Sequence, residues 1–200
     1  MTAEEHSKLT PDKIIENLKR GNAEFHNSNQ FPVKNAVKGQ YPEAVILACF
    51  DSRVPVENIF HCGIGDIFVA RVAGNIVNSD ILGSMEYACK IAGAKLIVVL
   101  GHKHCRAIEA AIDEIELGNI TGLLDKIKPA IKQTKVNFIG ETKSTNPEFV
   151  DAVCQTNVVL MADEIRKNSP VLKELADKGE IKIVEAIYDV FSGKVKFLEN

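Results

Sequence analysis

No stretch of this 200-residue chain stays apolar for the roughly 20 residues that a bilayer-spanning helix needs. The longest such run, Ala44 to Phe50, has the length of a buried strand. An excess of positive charge is also lacking. The sequence has 24 Lys and Arg against 27 Asp and Glu, a formal net charge of -3, so there is no basic field for a nucleic-acid backbone. The opening MTAEEHSKLT has neither the basic nor the apolar region of a secretory signal, and the expected location is cytoplasmic. Five cysteines at positions 49, 62, 89, 105 and 154 are odd in number and scattered, which is not a disulfide framework. In a reducing compartment such thiols serve as core residues, metal ligands or nucleophiles. Repeats, low-complexity tracts and Pro/Gly/Ser linkers are missing too. With 46% apolar and 26% charged residues, the chain reads as a single domain, 1–200, that acts on a small molecule.

What is present changes character near residue 40. Thr10-Pro11-Asp12 reads as an N-cap followed by proline in the first helical turn. Ile14, Leu18 and Phe25 then form a thin apolar stripe on a polar helix. Together with the polar stretch to Lys38, residues 1–40 read as a helical arm packed on the main body or on another subunit. From Ala44 onward strands and helices alternate. Ala44–Ala48, Ile67–Val72 and Leu96–Leu100 are short, β-branched and almost wholly apolar, as in parallel strands covered on both faces. Amphipathic helices are predicted over 80–92, from Cys105 through Ile112 to Ile115, from Asn146-Pro147 onward, and from Ser169-Pro170 to Gly179. Ile181–Val190 is a further strand, and Ser192-Gly193 turns it into an antiparallel edge strand at 195–198. The fold class is therefore α/β: a central, mostly parallel sheet of about four parallel strands plus an antiparallel edge strand, flanked by helices.

Two segments carry chemistry. Cys49-Phe50-Asp51-Ser52-Arg53 follows the first core strand, and Gly101-His102-Lys103-His104-Cys105 follows the third. Ligands of open parallel sheets gather at the carboxyl ends of strands, so the two segments can face one crevice. Cys49, His102 and Cys105 then offer two thiolates and an imidazole, a set suited to Zn²⁺ with a fourth position left for water. Two thiolates make such water a weaker acid than imidazoles would. Asp51 can compensate by accepting a hydrogen bond from the hydroxide, and Arg53 can keep Asp51 ionised. Taken singly these signals are weak, since most Cys after strands are core residues and most Asp-x-Arg pairs are loop ion pairs. Their strength lies in the combination. Cys89 and Cys154 fall on apolar helix stripes and read as structural, as does Cys62; His61 and His104 read as loop histidines. A cysteine phosphatase is excluded, because Phe68 and Ala111 stand where its arginine belongs. Gly63-Ile64-Gly65 precedes a strand and has Phe68 in place of a third glycine, so it is no dinucleotide fingerprint.

Cys-x-Asp-Ser-Arg followed by His-x-x-Cys resembles the β-class carbonic anhydrases, with similarity from Gln40 to Ile115. It extends to Gln40-Tyr41-Pro42, Val54-Pro55, Glu57 and the stretch from Gly65 through Arg71 to Ala73-Gly74-Asn75. The resemblance implies Cys49, His102 and Cys105 as ligands of one Zn²⁺ per chain, and Asp51 and Arg53 as a catalytic dyad. It implies Gln40 as a substrate-binding residue that serves the neighbouring subunit. The implied reaction is reversible hydration of carbon dioxide to bicarbonate and a proton by zinc-held hydroxide. The implied assembly is a homodimer that exchanges N-terminal helices and in some members pairs into a homotetramer. The alternatives are a non-catalytic zinc-binding homologue and a hydrolase of CS₂ or COS. The chain departs from the family in three places. Arg106 replaces the usual glycine after the second cysteine, and Val72 replaces an asparagine. Ile46 stands where some members carry the tryptophan of a second bicarbonate pocket, and the chain has no tryptophan at all. An open site near neutral pH is expected from that last difference.

Overall fold

The computed structural model describes residues 2–28 and 39–198, and the chain divides into two compact units, one ending at Gly39 and the other starting at Gln40. The first unit holds α1 (Ala3–Ser7) and α2 (Pro11–Asn27). Thr10 caps α2 by accepting from the Lys13 N–H, with Pro11 in the first turn, as the sequence predicts. No residue of α2 is buried, and Ile14, Ile15, Leu18 and Phe25 are exposed. The polar stretch that continues the arm to Lys38 lies outside the described residues.

The second unit alternates strands and helices: β1 (Ala44–Ala48), α3 (Val56–Ile59), β2 (Ile67–Arg71), α4 (Ser79–Glu86), β3 (Leu96–His102) and α5 (Arg106–Ile112). It continues with α6 (Gly118–Leu124), α7 (Lys128–Asn137), α8 (Pro147–Asn168), α9 (Pro170–Asp177), β4 (Lys182–Tyr188) and β5 (Val195–Phe197). The strands form one sheet in the order β2-β1-β3-β4-β5; the first four are parallel and β5 is antiparallel to β4. This is the expected α/β architecture. One boundary differs in a way that matters for the site. Polarity places the end of β3 at Leu100, but pairing with the long β4 carries it on, with Gly101 opposite Ile187 and His102 opposite Tyr188. His102 therefore sits on a strand and not in the loop beyond it. The helix predicted over 80–92 begins one residue earlier, under an Asn78 cap, and its last part, Tyr87–Ile91, is a π-helical turn.

Alternation along the strands divides the core. Val45 and Leu47 of β1, with Ile97 and Val99 of β3, pack against Phe149, Val153, Val158 and Ile165 of α8. Ile46, Ala48, Val98 and Leu100 face the other way, towards Val54 and Val56. The contact of α8 with β3 is close enough to need a glycine. A Cβ on Gly101 would lie 2.5 Å from Val158 Cγ2 and 2.9 Å from Cys154 Sγ. Gly101→Ala should therefore lower stability by about 1–3 kcal/mol through overpacking, read as a lower urea midpoint. An unchanged midpoint would contradict this account of the α8–β3 contact.

Candidate metal centre

The parallel pairing of β1 and β3 sets Ala48 opposite Leu100, which brings Cys49, level with Gly101, and His102, one residue further on, to the carboxyl ends of the two adjacent strands. Cys105 follows as the N-cap residue of α5. The Cys49, His102 and Cys105 donor atoms all lie within 4.8 Å of one another, and the three residues are 3%, 0% and 1% exposed. The two Sγ atoms are 3.8 Å apart. Two thiolates at tetrahedral positions about 2.3 Å from a zinc ion would stand about 3.8 Å apart.

The donor set passes a second test. His102 Nδ1 is 2.9 Å from the Lys103 carbonyl oxygen, which can only accept, so Nδ1 carries the ring proton. Nε2 is then an acceptor, and it is buried without a hydrogen-bond partner. A buried acceptor left unpaired is costly, and a cation beside two sulfurs would satisfy it. The thiols are already biased towards that state. Cys49 ionises well below the usual thiol range, chiefly because Cys105 donates to it, with help from the Gly74 N–H at 3.3 Å. Cys105 is pushed up by that same bond and by burial.

Asp51 and Arg53 flank the cluster. The Arg53 backbone N–H and Nε each donate to Asp51 Oδ1 at 2.9 Å, and one terminal guanidinium nitrogen donates to Oδ2 at 2.7 Å. That same nitrogen donates to the His104 carbonyl at 2.9 Å, which ties the segment after β1 to the segment after β3. Asp51 Oδ2 stands 3.9 Å from His102 Nε2. The Arg53 side chain, more than any other group, draws the Asp51 carboxyl down to about 2. Sequence reasoning did not give a role to Arg71, whose guanidinium donates to the carbonyls of Cys49 (3.1 Å) and Asp51 and so fixes the backbone that carries both. Its position in the Gly65–Asn75 stretch was the available signal.

The remaining candidates lie elsewhere. Gln40 is exposed and precedes β1, so it stands at the amino end of the strand whose carboxyl end carries Cys49. Arg106 is 82% exposed along its side chain and ion-paired to Glu109 at 2.8 Å, and so points to solvent. Cys89 and Cys154 are buried thiols, pushed by desolvation up to about 11 and about 12, as fits core residues. Cys62 is raised as well, by its partial burial and nearby carboxylates. His61 and His104 both adopt positive φ, 53° and 54°, as residues of tight turns do.

Comparison with known proteins gives the same class. A family model described as carbonic anhydrase matches residues 44–195. Carbonic anhydrase of Mycolicibacterium smegmatis is 40% identical over 191 residues, which is 90% of this chain and 89% of that one. Carbonic anhydrase 2 of Mycobacterium tuberculosis is 33% identical over 189 residues, covering 88% of this chain and 87% of the relative. Among solved structures, a tetrameric β-carbonic anhydrase from Sordaria macrospora superposes with a TM-score of 0.78 at 26% identity, covering 94% of this chain and 98% of that one. The chain belongs to the carbonic anhydrase family, in its β class. It is by that membership a carbonic anhydrase.

The Asp51–Arg53 pair makes a pH prediction. The folded-state carboxyl, at about 2, lies below the ordinary value of 3.8, so the pair stabilises the fold fully above the latter and loses that contribution as pH falls through the former. In the metal-free protein, Arg53→Met should therefore lower the urea midpoint by a constant amount above about pH 5, and the deficit should shrink as pH falls towards 2. Some deficit should persist, because the bond from Arg53 to the His104 carbonyl does not titrate. A deficit that grows on acidification would contradict the assignment.

Proposed function

We propose that the chain catalyses the reversible hydration of carbon dioxide to bicarbonate and a proton, with one zinc ion per chain held by Cys49, His102 and Cys105. The observation that carries this reading is the buried cluster of three convergent donors with an unpartnered imidazole nitrogen, in a member of the carbonic anhydrase family. Zinc held there supplies Lewis acidity, by which water becomes a strong nucleophile near neutral pH. The protein's own groups do the rest. Asp51 stays ionised at working pH and accepts a hydrogen bond from the attacking water, which aims a lone pair at the carbon. Arg53 occupies both Asp51 oxygens, holding the carboxylate in place and away from direct ligation. That arrangement favours the open site expected from Ile46. The intact pair also speaks against a zinc-binding homologue without catalysis. Arg106, paired to Glu109 and turned to solvent, is given no part in the reaction.

Gln40 acts in the site of a second copy, where its amide donates to a substrate oxygen; its place at the far end of β1 from Cys49 supports a role in trans. The arm, residues 1–40, packs on that second copy, and the exposed stripe of Ile14, Leu18 and Phe25 supports burial there. The assembly is a homodimer, able to pair into a homotetramer. No described helix is long and apolar enough to cross a membrane; the cytoplasm is the proposed place of work.

Purified protein should contain about one zinc per chain, and Cys49→Ser should lose it. Asp51→Ala should keep the metal and lose roughly a hundredfold or more in carbon dioxide hydration, since Asp51 orients and does not ligate. Full zinc content in the first variant, or unchanged turnover in the second, would contradict the roles assigned.

A further inference from the structure

Helix α8 approaches the candidate centre with a buried polar side chain that no step above uses. Asn157 is 0% exposed, and its Nδ2 donates to the Gly74 carbonyl at 3.0 Å. Gly74 in turn gives its N–H to Cys49 Sγ at 3.3 Å. A single residue is thus held at its carbonyl by α8 while its amide points at sulfur. Reversing the Asn157 amide would set oxygen against oxygen, so the donor is Nδ2.

Gly74 needs such a hold. It lies in a three-residue turn, Ala73–Asn75, at a left-handed φ of 67°. A Cβ there would come 2.7 Å from Ile127 Cδ1, so packing as well as the left-handed φ calls for glycine at this position. The other half of the Asn157 amide argues that stability is not its purpose. Oδ1 is buried without a partner, and an apolar side chain of similar size would avoid that cost. Asn157 is therefore hard to explain as core packing and easy to explain as a fixed donor.

We propose that Asn157 is a positioning residue for the metal centre: it holds Gly74 so that the Gly74 N–H donates to Cys49 Sγ, and thereby sets how strongly that sulfur binds metal. The inference rests on the zinc reading above. Hydrogen bonds to a ligating thiolate place its lone pairs and tune its donor strength, and their loss weakens metal binding.

The test compares the wild type with Asn157→Leu, which keeps the volume and removes the donor. Thr156→Ala serves as a control, because its hydroxyl bonds Thr134 Oγ1 and the Ala152 carbonyl, away from the centre. Zinc affinity is read by competition with a chromophoric chelator, and donor strength by the thiolate-to-metal charge-transfer band of the cobalt(II)-loaded protein. Asn157→Leu should weaken zinc binding about 10- to 100-fold and shift that band, with Thr156→Ala leaving both as in the wild type. Wild-type affinity and an unmoved band in Asn157→Leu would overturn the positioning role, as would equal weakening in the two variants. A wild type that binds no zinc would overturn the zinc reading instead. The unmutated chain supplies a further readout that does not depend on a variant folding. Zinc loading should move the proton resonances of the Gly74 N–H and the Asn157 side-chain amide together, and a stationary Asn157 resonance would overturn the proposal.

Discussion

In-register parallel pairing between β1 and β3 is the constraint on which the site depends. Neighbouring strands stand about 4.8 Å apart, and a parallel pair brings both carboxyl ends to the same edge of the sheet. With Ala48 opposite Leu100, the next residues outward are Cys49 on one strand and Gly101-His102 on the other. A slip of one residue would send each side chain of β1 to the opposite face and separate the sulfur from the imidazole. The register is held by burial on both faces: Leu47 and Val99 belong to the cluster under α8, Ala48 and Leu100 to the cluster on the far side. The hydrophobic core thus fixes the distance between donors that are remote in sequence.

Electrostatics then decides what that geometry is good for. Two nearly unexposed sulfurs 3.8 Å apart and an imidazole whose Nε2 has no hydrogen-bond partner form a donor set suited to one soft cation. Around it the protein places fixed positive groups that never enter the cluster. Arg53 clamps Asp51 and reaches the His104 carbonyl, and Arg71 clamps the backbone of Cys49 and Asp51. These bonds cross between chain segments, so the loops after β1, β2 and β3 are held as one body. A rigid acceptor beside a polarised water needs that kind of support, because a carboxylate free to swing would itself become a ligand.

Much of this was legible in the sequence because it depends on local pattern. The β-branched run Ala44–Ala48 is a strand at both its expected ends, and Thr10, Asn146 and Ser169 cap the helices they were expected to open. Cys49, His102 and Cys105 could be chosen together because the order of strands and loops puts them at one sheet edge. Other features were not legible, for reasons that are physical. Helices α6 and α7 carry exposed Ile120 and Val136 and bury only Leu124, Ala130 and Ile131, so their apolar periodicity is faint. The two extra residues of β3 are set by pairing with β4, which polarity cannot report. Arg71, Gly74 and Asn157 matter through hydrogen bonds to backbone or sulfur across the fold; the motif stretch marks the first two without telling what they bond, and Asn157 lies in no motif. The roles given to Gln40 and the arm depend on a second copy, which a single chain does not contain.

The central claim is that two sulfurs and one ring nitrogen of this chain surround a single zinc ion. X-ray absorption at the zinc edge of the loaded protein tests it most directly. The account predicts a first shell of two sulfur scatterers at about 2.3 Å and two nitrogen or oxygen scatterers at about 2.0–2.1 Å, with the outer-shell pattern of one imidazole. A shell of four sulfurs, or one with no sulfur at all, would contradict it.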